Sequence, residues 1–313
     1  MLNNFLLCVN AVIPSAIYLI IGICLKLFRI VDNEEVKRFT RMTFIALYPF
    51  LMFDNLYGKN ISENMDLRLI IYALAFLAFE IISSWLFVCK IEKDNFNRGA
   101  MIQSLFRSNI VLMGLPIAIN LFGKGNVTAV AVVLMVVVPI YNIVAVVIFE
   151  RFRGGKVDIK GIIKGVFTNP LIIGGIAAII VMVFRIPVPE MMYKTIVSLS
   201  DATTPIAMIL LGASLNLKGF SEDRSKVAVC VIGKIIVFPG LGILGAVLLG
   251  FKQVELVAII LMTATPTALA SFAMASSMDG NGKLAAETIV VSTIAACFTI
   301  PVWLFVLKTG GYF

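Results

Sequence analysis

Residues 106–120, FRSNIVLMGLPIAIN, decide the fold of this chain. The stretch is mostly apolar, yet it carries Arg107 and Asn109 and then places Gly114 two positions before Pro116. A proline inside a helix removes one backbone hydrogen bond and clashes with the carbonyl four residues earlier, and a glycine loosens the same turn. The stretch therefore predicts a membrane-spanning helix that is broken at Pro116. Freed backbone groups cannot face lipid, so the break must line a cavity inside the protein.

The composition of the whole chain agrees with a membrane location. Of its 313 residues 60% are apolar and 14% are charged, whereas a soluble domain has about 45–50% and about 25%. The mean hydropathy is +1.01. Spans of about 20 residues cross the hydrocarbon core of a bilayer, and ten of them leave only short connections. We therefore expect an all-α polytopic membrane protein rather than a soluble enzyme.

The apolar runs between charged breaks predict ten spans. They are 7–28, 43–57, 69–88, 100–122, 127–149, 161–184, 196–217, 227–249, 256–278 and 285–307. With the N-terminus outside, the inner side holds 17 of the 26 Lys and Arg residues and the outer side holds 7. This bias follows the positive-inside rule and predicts a multi-pass protein of the cytoplasmic membrane with both termini outside. It also accounts for the net charge of +8, so the basic character gives no reason to expect a nucleic-acid partner.

Three proline pairs recur in the same order about half a chain apart. They are Pro49 with Pro205, Pro116 with Pro266, and Pro139 with Pro301. Five spans per half, an odd number, make the second half enter the membrane from the opposite side, as in many secondary transporters. The pattern predicts inverted repeats at 1–150 and 161–313, joined by a short cytoplasmic linker at 151–160. The alternative is that proline is simply common in membrane helices.

A second break is predicted at residues 263–271, TATPTALAS, where Thr265 and Thr267 flank Pro266. If the two breaks face each other, two half-helix N-termini meet, each with unpaired N–H groups and a partial positive charge. Such a point favours an anion, especially a carboxylate. Asn142 in the fifth span is a further candidate for this cavity, although a hydrogen bond between helices explains it equally well.

The first break also carries a resemblance to a known family. Asn109-Ile-Val-Leu-Met-Gly114-Leu-Pro116 is similar to the Asn-x-x-x-x-Gly-x-Pro stretch of the auxin efflux carrier family, which includes plant PIN carriers and bacterial malate or malonate permeases. Three further stretches resemble that family: Asn169-Pro170, the run 205–215 with Gly212, and Thr265-Pro266 followed by Ala285-Ala-Glu-Thr288. Together they extend over nearly the whole chain.

The resemblance implies ten helices in two inverted five-helix repeats. It implies a scaffold of the first two helices of each repeat, a transport bundle of the other three, and a crossover of the fourth and ninth helices at their prolines. It also implies that Asn109 helps to hold a substrate carboxylate and that the scaffold helices form a homodimer. The plant members have a long hydrophilic loop between the halves, whereas residues 150–161 are a short connection here.

Three ionisable residues lie deep within the predicted spans: Glu80, Arg107 and Lys234. Charges there are costly, so each is a functional candidate. Three interpretations are possible. In the first, the residues are structural: Glu80 forms an ion pair with one of the two bases, or the long basic side chains reach the membrane interface. In the second, they form an electrostatic vestibule for an anion, and in the third, Glu80 couples transport to protons. The chain has no histidine, and its five cysteines show no CxxC spacing. We therefore expect no metal or other cofactor, and coupling to protons or to sodium ions.

Taken together, these features predict a secondary active transporter of a small organic anion. A mono- or dicarboxylate such as malate or malonate, or an auxin-like acid, fits the expected site, and membrane lipid is the other partner. A cation/proton antiporter of similar architecture is the alternative, and an intramembrane enzyme is less favoured because no catalytic motif is present. We expect no enzymatic activity.

Overall fold

The computed structural model describes residues 2–57, 66–123, 126–152, 168, 170–214 and 223–312. Apart from one isolated antiparallel bridge between Ser108 and Thr267, the secondary structure of these residues is helical. The α-helices are α1 (Leu2–Leu27), α2 (Asn33–Ala46), α3 (Tyr48–Leu56), α4 (Leu67–Ile91), α5 (Asn95–Phe106), α6 (Leu115–Phe122), α7 (Thr128–Phe152), α8 (Pro170–Val183), α9 (Glu190–Ser214), α10 (Arg224–Ile232), α11 (Phe238–Leu248), α12 (Gln253–Ala264), α13 (Ala270–Ser277) and α14 (Gly282–Thr309). Two π-helical turns, Ile110–Gly114 and Gly233–Val237, lead into α6 and α11.

Five of the described helical segments are long and apolar enough to cross a membrane: α4, α7, α9, α14 and the continuous stretch Arg224–Leu248. Three shorter apolar segments accompany them, Ile17–Leu27, Ile173–Val183 and Gln253–Ala264. The chain is thus an all-helical polytopic membrane protein, as its composition predicts. The predicted linker at 151–160 and Asn169 lie largely or wholly outside the described residues.

The chain folds into two compact units, and each takes helices from both halves of the sequence. The first, here called the crossover unit, holds α4 to α7 and α10 to α14. The second, here called the four-helix unit because α2 and α3 are counted as one helix interrupted at Leu47, holds the C-terminal half of α1, α2 with α3, α8 and α9. All the candidate site residues belong to the crossover unit.

The second predicted span, 43–57, covers the end of α2 and the whole of α3. A capping box starts α2: the Asp32 carboxylate accepts a hydrogen bond from the Glu35 amide at 2.7 Å, and the Asp32 amide donates to the Glu35 carboxylate at 2.8 Å. The helix is interrupted at Leu47, because Pro49 has no N–H to continue the α2 ladder and lies instead in the first turn of α3. The apolar run thus corresponds to two helical segments with an interruption that the prediction did not include.

Within the four-helix unit, α1 and α9 touch backbone to backbone. A Cβ atom on Gly212 would lie 2.1 Å from the carbonyl oxygen of Leu19, and one on Gly22 would lie 1.9 Å from that of Ile209. Small residues at such positions allow membrane helices to approach closely, and van der Waals packing then holds them together. Gly212, part of the family-like run, therefore has a packing role.

Candidate functional site

The two broken helices meet through backbone hydrogen bonds. Beyond the ends of α5 and α12 the chain is non-helical, and the two segments run antiparallel. The Asn109 N–H donates to the Pro266 carbonyl at 2.8 Å, and the Ala268 N–H donates to the Arg107 carbonyl at 3.1 Å. Backbone groups that the breaks release are thereby satisfied inside the protein, as the absence of water in a bilayer requires. We call the paired segments, residues 107–109 and 266–268, the crossover.

The first break lies at residues 107–109, and the prediction that placed it at Pro116 was wrong. Pro116 lies just after the first π-helical turn, and the wider i to i−5 bonding of that turn lets the helix continue past a residue that has no N–H. Before it, the N–H of Leu115 donates to the carbonyl of Ile110, five residues back, in the first π-helical turn. The second break, at Thr265 and Pro266, is where the sequence predicts it.

Four helix ends adjoin the crossover. The first π-helical turn starts directly after Asn109 and α13 starts at Ala270, so two N-terminal ends are present as expected. The C-terminal ends of α5 and α12 lie there as well. Partial charges of both signs therefore adjoin this region of the protein.

The threonines of the second break bond within the protein. The Thr267 hydroxyl donates to the Ser104 carbonyl at 2.8 Å, and the Thr267 N–H donates to the Ser292 hydroxyl oxygen at 3.2 Å. The Thr265 hydroxyl donates to the Leu261 carbonyl at 2.8 Å. These bonds hold the second segment of the crossover against α5, α12 and α14.

Gly114 contributes space rather than a polar group. A Cβ atom at this position would lie 3.3 Å from the Leu261 Cβ and 3.3 Å from the Thr265 Cγ2. Both distances are shorter than an ordinary van der Waals contact, so a side chain at this position would require α12 to yield by a few tenths of an ångström. The glycine therefore serves the close packing of the two broken helices.

Arg107 is buried in the crossover unit and is only 5% exposed. Its guanidinium donates to the Asn142 side-chain oxygen and to the Met274 sulfur. Within the described part of the chain it makes no ion pair with a carboxylate. The Nδ2 groups of Asn109 and Asn142 are also buried without a hydrogen-bonding partner among the described residues. A buried cation and two uncommitted amide donors thus lie at or beside the crossover.

Ser108 lies between Arg107 and Asn109 and bonds in a different direction. Its hydroxyl donates to the Met262 carbonyl and accepts from the ammonium of Lys234. Successive side chains of an extended segment leave opposite faces, which accounts for the separate partners of Arg107 and Ser108. Ser108 was not among the residues predicted from the sequence, although its place between two candidates was a usable signal.

Lys234 and Glu80 are fully buried. Lys234, in the second π-helical turn, also donates to the Phe106 carbonyl at 3.5 Å. Both carboxylate oxygens of Glu80 lack a hydrogen-bonding partner among the described residues. The carboxylate nevertheless has a favourable electrostatic interaction with the positive charge of Lys234. Lys234 and Arg107 are both buried inside the protein, which does not fit the interpretation of these bases as side chains that reach the interface. The structure associates Glu80 with Lys234 and joins Arg107 to other partners.

Several buried polar groups near these residues were not selected from the sequence. The amide of Gln103 has no hydrogen-bonding partner among the described residues, and the Tyr141 ring lies 5.9 Å from that of Phe106. A polar residue in an apolar span was the available signal. In the same described part of the chain, no group of three or more His, Cys, Asp or Glu side chains could hold a metal ion.

Comparison with known proteins adds one family and two archaeal relatives. A family model described as a membrane transport protein matches residues 7–164 and 156–304. An uncharacterised transporter of Methanocaldococcus jannaschii is 23% identical over 312 residues, which cover 95% of this chain and 98% of the relative. An uncharacterised transporter of Methanothermobacter thermautotrophicus is 23% identical over 310 residues with the same coverage. These similarities extend over nearly the whole chain, crossover included.

Proposed function

Since the chain belongs to the membrane transport protein family, which is the auxin efflux carrier family that its motifs resemble, we propose that it is a secondary transporter of a small organic anion bound at the crossover. The observation that carries this proposal is Arg107, a buried guanidinium with no carboxylate partner among the described residues. An unpaired buried charge is costly. A substrate carboxylate would supply the missing negative charge.

The donors around Arg107 suit a carboxylate. A guanidinium presents several N–H groups in a planar fork that matches two carboxylate oxygens. The uncommitted Nδ2 groups of Asn109 and Asn142 add donors, and the nearby N-terminal ends favour negative charge. Thr265 and Thr267 shape the crossover through their internal bonds. This donor set supports an anion over a cation, for which oxygen acceptors would be expected.

The proposed architecture has ten spans in two inverted repeats. In support of it, the starts of α4 and α10, and those of α7 and α14, are each separated by about 155 residues. Both halves also supply one broken helix to the crossover. On the family pattern, the crossover unit would be the transport bundle and the four-helix unit the scaffold and homodimer contact. The cytoplasmic membrane with both termini outside is the proposed location.

Uptake into proteoliposomes tests the proposal. We expect purified protein to take up at least one labelled carboxylate from a panel of malate, malonate, simple monocarboxylates and auxin-like acids. Competition by the other members would then rank them. Exchange of labelled cations with no transport of any acid would contradict the anion proposal and favour the antiporter alternative.

Replacing Asn109 with Ala should weaken substrate binding. Loss of one hydrogen bond to a charged group costs about 1.5–3 kcal/mol, so we expect KM to rise by about 10-fold to 100-fold, with normal folding. The measurement is the concentration dependence of uptake. Asn120→Ala, at an exposed position on α6, is the matched control. An unchanged KM for Asn109→Ala would remove Asn109 from the site.

Glu80 is the proposed proton carrier. It is a fully buried carboxylate without a hydrogen-bond donor among the described residues, and burial favours the uncharged form unless a cation compensates. We expect uptake by the unmodified protein to rise several-fold under an inward proton gradient. Glu80→Gln, which mimics the protonated form, should make uptake insensitive to that gradient. A Gln variant with the full pH response would exclude this role.

A further inference from the structure

The crossover brings together the C-terminal ends of two half-helices. Phe106 is the last residue of α5, and Met262 lies in the last turn of α12. The last four carbonyl groups of a helix have no intrahelical partner, and each such end carries about half a negative charge. In the apolar interior of the membrane, both ends require a donor or a cation.

A single ammonium group serves both ends. The Lys234 Nζ donates to the Phe106 carbonyl at 3.5 Å and also to the Ser108 hydroxyl oxygen. Ser108 in turn donates its own proton to the Met262 carbonyl. The positive charge of Lys234 thus acts directly on α5 and, through one hydroxyl, on α12.

The local backbone allows Lys234 to reach this point. It lies in the second π-helical turn, and the preceding Gly233 lies against α5, where a Cβ atom would come within 2.5 Å of the Leu105 Cδ2. Lys234 is fully buried, so its charge cannot be shared with solvent. Its only nearby compensating carboxylate among the described residues is Glu80, which makes no hydrogen bond there.

The oxygen atoms that surround the Lys234 ammonium are of the type that binds a metal cation in other carriers. In transporters with broken helices, unwound carbonyls and half-helix C-terminal ends coordinate the coupling sodium ion or proton. Carbonyl, hydroxyl and carboxylate oxygens are also the usual ligands of hard cations. Here the Phe106 carbonyl and the Ser108 hydroxyl accept from the Lys234 ammonium, and the buried Glu80 carboxylate adds a negative charge nearby without contacting it.

We propose that the Lys234 ammonium is a tethered cation that takes the place of a coupling sodium ion at the crossover. The carrier then needs no sodium, and removal of the ammonium leaves an oxygen-lined site that accepts Na⁺. The independence of transport from sodium rests on the proposed transport function. Binding of Na⁺ to a variant without the Lys234 ammonium is a property of the protein alone and can be tested without any substrate.

Thermal unfolding of purified protein tests the cation site. We expect Lys234→Met to melt at least about 3 °C higher in sodium chloride than in choline chloride at the same concentration, because ligand binding stabilises the folded state. The unmodified protein and Lys234→Arg should melt at the same temperature in both salts. Lys90→Met, at an exposed position on α4, is the matched control. Equal melting temperatures for Lys234→Met, or sodium-specific stabilisation of the unmodified protein, would overturn the proposal.

Transport by the unmodified protein gives a second test that does not depend on the stability of a variant. We expect its carboxylate uptake in choline to stay within about twofold of its uptake in sodium. A loss of tenfold or more in choline would overturn the tethered-cation role. Failure to carry any carboxylate would contradict the proposed function instead, and the melting experiment would still decide the cation site.

Discussion

Arg107→Gln is expected to lower kcat/KM for carboxylate uptake by at least about 100-fold, which corresponds to roughly 2.7 kcal/mol of lost stabilisation. Arg107 has no carboxylate partner among the described residues, so its charge is available to a bound anion. Glutamine retains some hydrogen-bonding capacity but supplies no charge. The measurement is initial uptake as a function of substrate concentration in proteoliposomes with equal amounts of inserted protein.

Two further variants make this result specific. Arg107→Lys should retain part of the activity, because it keeps the charge but loses the planar fork. Arg41→Gln, at an exposed position on α2, should leave uptake unchanged. Uptake by Arg107→Gln within twofold of the unmodified protein would mean that Arg107 has a structural role and does not bind the substrate.

Gly212→Ala is expected to destabilise the protein by about 3 kcal/mol or more, at the upper end of the range for overpacking. The new Cβ atom would lie 2.1 Å from the Leu19 carbonyl oxygen, and a backbone atom cannot turn aside as a flexible side chain can. Helices α1 and α9 would have to separate. We expect a lower melting temperature and a smaller fraction of monodisperse protein in size-exclusion chromatography.

Gly240→Ala is the matched control, since it makes the same substitution in helix α11. A Cβ atom there would meet the Trp303 ring at 3.6 Å, an ordinary van der Waals contact. Alanine also has the better helix propensity, so the melting temperature should stay the same or rise slightly. Equal stability of the Gly212 and Gly240 variants would contradict the close backbone contact between α1 and α9.

The two breaks show which features of the crossover could be read from local sequence. At the second break, threonines around Pro266 mark where α12 ends, because the proline cannot extend the helical ladder. At the first, Pro116 was misleading, since a π-helical turn accommodates it inside the helical segment that begins after Asn109. The extended segment at residues 107–109 exists because it pairs with residues 266–268, and no local propensity indicates such a long-range pairing.

The ionisable candidates show the same difference between what the sequence indicates and what only the structure reveals. Glu80, Arg107 and Lys234 stand out in the sequence because charges are costly within a membrane span. Their partners did not follow from that cost. Position along the spans allowed Glu80 to pair with either base, whereas the structure joins Arg107 to Asn142 and brings Lys234 to Ser108.

The sequence by itself determined that this protein is a helical membrane protein with breaks in two helices and a few costly polar residues. Those properties follow from composition and from the chemistry of single residues, which depend only on the nature of the solvent and on local geometry. Only the tertiary structure decided that the breaks pair antiparallel and that one lysine serves two helix ends. Both features join atoms more than 120 residues apart, and their free energies exist only after the helices have packed.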